Sequence, residues 1–218
     1  RRLLADPELS GVSAVIFDEI HERSLSADLG LALALDVQSA LRDDLHLLAM
    51  SATLDTASMA AKLDAPVIES EGRQYPVETR YLGRTQDRLE DQMARAIERA
   101  VRETDGSILA FLPGAGEIRR TAERLSRLND VIIAPLFGAL SPQDQDAAIH
   151  PCADGQRKIV LATDIAESAL TIEGVSVVVD SGYARVPRYV PGGLSTELQT
   201  VRAARANVDQ RRGRAGRL

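Results

Sequence analysis

Tryptophan is absent from the 218 residues, and tyrosine and phenylalanine together supply only seven. A chain so poor in flat side chains is not expected to act as a base-stacking platform. Any nucleic acid it holds should be gripped along the sugar–phosphate backbone, with little sequence preference and strong salt dependence. Cysteine occurs once, at Cys152. That excludes an internal disulfide and a cysteine-based metal cluster, fits a reducing cytoplasm, and leaves Cys152 as a small filler beside a loop. No apolar run reaches the roughly 18 residues that a membrane-spanning helix needs, and no signal-peptide pattern opens the chain. Also missing is the phosphate-cradling loop G-x-x-x-x-G-K-[ST]. Gly114-Ala115-Gly116 is glycine-rich but has no Lys-Ser/Thr after it, so it is not such a cradle.

What is present begins with charge. The net charge of −6 conceals an asymmetry. Residues 1–75 carry six basic and thirteen acidic side chains, and residues 76–218 carry twenty and nineteen. The stretch 185–218 alone sets eight arginines against Glu197 and Asp209. An acidic first part and a basic tail point to two surfaces, the second suited to phosphates, although a solvated charged face gives the same count.

The order of apolar and polar segments predicts an α/β fold, with strands and helices alternating around parallel sheets. Residues 12–17 form an aliphatic run ending in acids, the pattern of a fully buried strand. Residues 27–40, with leucines at 29, 31, 33 and 35, predict a mostly buried helix, and 45–50 the next strand. A Gly- and Pro-containing segment at 70–76 is taken as a linker between a first domain, 1–69, and a second, 77–218. In the second, helices are predicted at 87–104, 117–128 and 141–149, the last with Ser141 as N-cap and Pro142 at its first position. Strands are predicted at 107–112, 131–136, 158–162 and 175–180.

A strand that ends in Asp18-Glu19 sets two carboxylates at the carboxyl edge of a parallel sheet, where such folds bind ligands. In phosphoryl transfer the first acid can hold Mg²⁺, often through water, and the second can orient or deprotonate the attacking water. By itself the pattern also fits an acidic helix cap. At the other end of the chain, Gly213 and Gly216 permit close backbone approach, while Arg214 and Arg217 can aim guanidinium forks at a triphosphate.

Five ordered segments then narrow the reading. Asp18-Glu19-Ile20-His21-Glu22-Arg23-Ser24 resembles motif II of the DEAH-box helicases, and Ser51-Ala52-Thr53-Leu54-Asp55 their motif III. Phe111-Leu112-Pro113-Gly114, followed by Glu117-Ile118, resembles motif IV, and Thr163 through Gly174 resembles motif V. Gln210-Arg211-Arg212-Gly213-Arg214-Ala215-Gly216-Arg217 resembles motif VI. The opening stretch and residues 70–82 look most like the bacterial HrpB branch of that family.

The resemblance implies two RecA-like domains in tandem, the first lacking its N-terminal part, within an ATP-dependent RNA helicase that uses ATP and Mg²⁺ and holds single-stranded RNA. It implies that Asp18 holds the metal and Glu19 the attacking water, with His21 completing the motif. Arg214 and Arg217 would be arginine fingers on the phosphates and Gln210 would contact the γ-phosphate or the attacking water, with Glu173 on the ribose and His150 on the adenine, while Gly114 and Thr163 would meet RNA phosphates. Ser51 and Thr53 would couple nucleotide state to domain movement. A surface position for His150 and ordinary capping by Thr163 stay open, and His46 is expected to be structural. Two positions depart from the family pattern: Asp164 replaces the usual Asn and Ala169 the usual Ser. With no phosphate loop, the chain is expected to be an internal piece of a longer protein, inactive alone, monomeric and cytoplasmic. A non-unwinding RNA-stimulated ATPase, a non-catalytic RNA-binding module and, more weakly, a DNA-directed motor remain as alternatives.

Overall fold

The computed structural model describes residues 2–20, 24–51, 56–69, 75–83, 85–153, 156–167, 172–189 and 196–216. The chain divides into two compact units, Arg1–Gly72 and Arg73–Leu218.

In the first unit, α1 (Arg2–Ala5) precedes β1 (Ala14–Phe17), and α2 (Leu25–Ala40) carries the chain to β2 (His46–Ala49). The two strands pair in parallel, Ala14 opposite His46 through Phe17 opposite Ala49, an arrangement that requires such a crossover. Ser24 sets the start of α2, its hydroxyl accepting the Ala27 N–H at 3.1 Å. Val37 of that helix clusters with Leu9 and Leu45, and α3 (Thr56–Leu63) follows β2. Two expectations change here. β1 is half-buried on one face, at Val15 and Phe17, and open on the other: Ile16 is 59% exposed and Leu48 of β2 is also exposed, because nothing among the described residues covers that face. α2 buries one stripe, Leu31, Ala34 and Val37, and leaves Leu29 exposed, since leucines two apart fall on different sides of a helix of period 3.6.

The second unit alternates as the sequence predicts. α4 (Leu89–Glu103), β3 (Ser107–Phe111), α5 (Ala115–Leu125), β4 (Val131–Leu136), α6 (Pro142–Ile149) and β5 (Arg157–Ala162) follow in turn. A 3-10 turn at Asp164–Ala166 then precedes β6 (Val175–Asp180). The sheet order is β4-β5-β3-β6, and every neighbouring pair is parallel. Alternate residues of β3 serve two cores. Ile108 and Ala110 pack with Met93 and Ile97 of α4 and Ile118 of α5; Leu109 and Phe111 pack with Ala148 of α6 and with Ala166. A sheet covered on both faces is what the continuous aliphatic strands encode.

The parallel register slips at the start of β3, between Ser107 and Ile108 opposite β6. Gly106 sits there so close to Ser176 that a Cβ would fall 2.0 Å from its Oγ. Two features go beyond the strand–helix pattern. An antiparallel hairpin joins β7 (Tyr183–Tyr189) to β8 (Thr196–Arg202), Tyr183 opposite Arg202. After it come α7 (Arg205–Gly213) and a 3-10 turn, Arg214–Gly216. No helix among the described residues is long and apolar enough to cross a membrane.

Candidate functional site

In the first unit the carboxyl ends of β1 and β2 are tied together. Met50 N–H donates to the Phe17 carbonyl at 2.8 Å, and Ile20 N–H donates to the Met50 carbonyl at 3.1 Å. This lacing places Asp18-Glu19 beside Met50 and Ser51. Asp18 is exposed, and its Oδ1 accepts the Glu19 N–H at 2.8 Å. Glu19 has φ +49°, a left-handed conformation uncommon outside glycine and concentrated at functional sites. Among the described residues no group of three or more His, Cys, Asp or Glu side chains could hold a metal by itself. Mg²⁺ does not need one, since it keeps its waters and is held by one or two carboxylates together with substrate phosphates. Asp18 and Glu19 are a donor set of that kind. His21 and Thr53 lie outside the described residues.

In the second unit the ladder runs one step beyond its strands. Leu112 N–H donates to the Ala162 carbonyl (2.8 Å), Thr163 N–H to that of Leu136 (3.1 Å) and Ser181 N–H to that of Phe111 (3.1 Å). Pro113-Gly114, Thr163 and Asp180 therefore gather at the carboxyl edge. Gly114 is buried and extended as the N-cap of α5. A Cβ on it would lie 2.7 Å from the guanidinium of Arg185, which is 3.4 Å from Glu117. Thr163 precedes the Asp164–Ala166 turn without a side-chain capping hydrogen bond, so its hydroxyl is not spent on capping. Asp164 is exposed on that turn, and Ala169 lies outside the described residues.

His150 and Glu173 are placed differently. Both are exposed, and they lie where the chain enters β5 and β6, at the amino ends of those strands. The Nδ1 of His150 is 2.6 Å from the Asp146 carbonyl. Lys158, buried at the start of β5, donates its amine to the carbonyls of Ala148 (2.9 Å) and His150, holding the end of α6 in place.

The arginine motif is built around a residue that the spacing argument did not single out. Arg211 is 1% exposed. Its Nε donates to Glu167 Oε1 at 2.6 Å, and one terminal nitrogen reaches the same oxygen at 2.5 Å. The other terminal nitrogen donates to Asp180 Oδ1 (2.9 Å) and to the Tyr183 carbonyl (3.1 Å). The Phe111 ring lies beneath it, 5.0 Å from centroid to guanidinium carbon. Arg214 is buried as well, its Nε donating to the Glu167 carbonyl at 2.9 Å. Gln210 is half-buried, and Arg217 lies outside the described residues. Gly216 bears out the expected close approach, because a Cβ there would fall 3.0 Å from the Tyr75 carbonyl oxygen. For Gly213 nothing described lies within 4 Å. A signal for Asp180 was available: it closes a valine-rich strand, much as Asp18 follows the apolar strand β1.

Residues 89–218 match the family described as the helicase conserved C-terminal domain. Over 222 residues the chain is 55% identical to ATP-dependent RNA helicase HrpB of Escherichia coli (strain K12), covering 100% of this chain and 27% of that protein. It is 39% identical over 219 residues to the ATP-dependent RNA helicase HrpA homolog of Haemophilus influenzae, covering 98% of this chain and 17% of that one. A crystal structure of the Escherichia coli DEAH/RHA helicase HrpB superposes with a TM-score of 0.91 at 55% identity, covering 100% of this chain and 28% of the other.

Proposed function

Since the chain belongs to the helicase conserved C-terminal domain family, we propose that it forms part of the motor of an ATP-dependent RNA helicase. The observation that carries this reading is the convergence of Glu167, Asp180, Arg211 and Arg214 at the carboxyl edge of a parallel sheet, one turn from Thr163. Such an edge binds ligands in parallel α/β folds, and a turn that meets RNA joined rigidly to arginines that meet phosphate is what coupling demands.

In this reading residues 1–69 belong to a first RecA-like domain, 70–76 are the linker and 77–218 form the second. Asp18 holds Mg²⁺, mainly through water, and Glu19 orients the attacking water, with His21 completing the motif. Arg214 and Arg217 offset charge on the transferred phosphoryl, while Gln210 contacts the γ-phosphate or the attacking water; arginines supplied in this way are worth ~10³–10⁵ in rate. Glu173 and His150 meet ribose and adenine, and Ser51 and Thr53 couple nucleotide state to movement. Gly114 and Thr163 hold the backbone of single-stranded RNA. The 218 residues contain no phosphate-cradling loop, so hydrolysis is assigned to the protein made from the complete reading frame.

In that protein, Glu19→Gln and Arg214→Ala are each expected to lower RNA-stimulated ATP hydrolysis by about 10³-fold, measured as phosphate release with and without single-stranded RNA. Near-normal turnover in either variant sinks the assignment.

A further inference from the structure

We infer that Glu167 is the positioning residue of the arginine motif: it acts on phosphoryl transfer through Arg214, without touching the nucleotide. The inference rests on the phosphate-contacting role proposed above for Arg214.

Three side chains from one stripe of α7 and its continuation converge on Glu167. Asn207 donates its amide to Oε2 at 2.6 Å, Arg211 donates to Oε1 at 2.6 Å, and Arg214 donates to the backbone carbonyl at 2.9 Å. Residues 207, 211 and 214 stand at i, i+4 and i+7, the spacing that lines one face of a helix. A single residue at the end of the Asp164–Ala166 turn is thus held by both of its carboxylate oxygens and by its carbonyl.

Arg211 has no nitrogen to offer a ligand. Its Nε and one terminal nitrogen are engaged by Glu167, and the other terminal nitrogen by Asp180 and the Tyr183 carbonyl. The guanidinium lies over Phe111 in the interior. Its function is therefore to lock α7 against the ends of β3 and β6. A planar fork with two carboxylates fixes direction as well as distance, which a point charge cannot do. Arg214 follows one turn later, so the angle at which it leaves the helix is set by the Arg211–Glu167 pair.

The same pair joins two motifs. Thr163, four residues before Glu167, opens the turn proposed to meet RNA, and Arg214 belongs to the segment proposed to meet the phosphates. Glu167 is the covalent neighbour of the one and the hydrogen-bond partner of the other. Displacement of the turn moves Glu167 and, with it, the seat of Arg214.

The test is a double-variant cycle in the protein from the complete reading frame. It uses Glu167→Gln, which keeps the shape of the side chain, and Arg214→Lys, which keeps a charge. With saturating RNA, Glu167→Gln is expected to lower kcat by about 10- to 100-fold, the loss that misplacement of a reacting group produces, with KM for ATP held within about threefold. The double variant is expected to be no slower than Arg214→Lys alone, because both act through one group. In the nucleotide-free protein, amide hydrogen exchange should quicken over 205–216 and stay unchanged in β3 and β5. Losses that multiply in the double variant, a wild-type kcat in Glu167→Gln, or exchange that quickens throughout the unit would each overturn the inference. Absence of RNA-stimulated hydrolysis in the wild type would instead remove the proposed function, and this inference with it. If Glu167→Gln fails to fold, Asp180→Asn, which alters the outer carboxylate of the same network, takes its place with the same non-additivity required.

Discussion

Arg211 and Glu167 stand 44 residues apart in sequence, yet their Nε and Oε1 lie 2.6 Å apart inside the second unit. Both are nearly inaccessible to water. Desolvating two charges costs several kcal/mol per ion, and only good geometry and further hydrogen bonds offset it. Here both are supplied, by Asp180, Asn207 and the Tyr183 carbonyl. Removing one partner strands the other charge, so Arg211→Ala should destabilise this unit by about 3–5 kcal/mol. Urea denaturation followed by circular dichroism measures that loss, and a change below about 1 kcal/mol would contradict the buried-pair account.

A second ion pair gives the α4–α5 packing a pH dependence. Glu90, buried on α4, lies 2.6 Å from the Nε of Arg120 on α5. Burial pushes the Glu90 carboxyl up, but its own backbone N–H, Arg120 and Arg124 together outweigh burial and hold it below the usual carboxylate range. A carboxylate whose value is lowered in the native state stabilises fully above its unfolded value, about 4.3, and loses that contribution as pH falls through the native value. The melting temperature of Glu90→Gln should therefore lie below that of the wild type at pH 7, and the gap should close as pH falls below about 4. A gap that persists unchanged into strong acid contradicts the assignment.

Gly106 tests the register slip between β3 and β6. An alanine Cβ would fall 2.0 Å from Ser176 Oγ and 2.5 Å from Ser176 Cβ, and the strand around Ser176 cannot move without disturbing Val175 and Val177. Gly106→Ala is expected to cost about 1–3 kcal/mol, the usual range for overpacking. Adding Ser176→Gly should recover most of it, because the clash lies with that side chain alone. Thermal melts of the single and double variants decide this.

Gly114 makes a contrasting case. The atoms its Cβ would meet, at 2.7 Å, are the far end of the Arg185 side chain, which can swing away. Gly114→Ala should leave the melting temperature within about 3 °C of the wild type, as for a change of less than about 1 kcal/mol. The RNA concentration for half-maximal ATPase stimulation should rise by about 5- to 10-fold, as expected for loss of one phosphate contact worth about 1 kcal/mol. Unaltered RNA dependence would remove Gly114 from the RNA site.

Much of this could be read from the chain itself. The aliphatic runs at 107–112, 131–136, 158–162 and 175–180 specify strands of a doubly covered sheet, because period-2 alternation between two cores demands apolar residues on both faces. Ser141-Pro142 specifies the start of α6 through local capping, and the Ser141 hydroxyl does accept the Asp144 N–H at 3.2 Å. The motifs marked the carboxyl ends of the strands in each unit, at Asp18 in the first and at Thr163 and Gly114 in the second, since chemistry at a strand end is encoded next to the strand. The hairpin β7–β8 was not legible: Tyr183–Tyr189 and Thr196–Arg202 have no fully buried position and are exposed at most of them, so no burial period announces them.

The tertiary structure alone decided what Arg211 does. Glycine spacing and the family pattern single out Arg214 and Arg217, but nothing in the sequence separates Arg211 from its neighbour Arg212. Folding buries Arg211 against Glu167 and Asp180 and sets Arg214 on a carbonyl, while Arg212 remains half-exposed beside Asp209. Local propensity places those residues on a helix. Which face of that helix meets two carboxylates depends on where β3, β6 and the turn after β5 bring Phe111, Asp180 and Glu167, and those partners are contributed from 31 to 100 positions away. The cost of burying a charge is a property of its surroundings, and the surroundings exist only once the chain has folded.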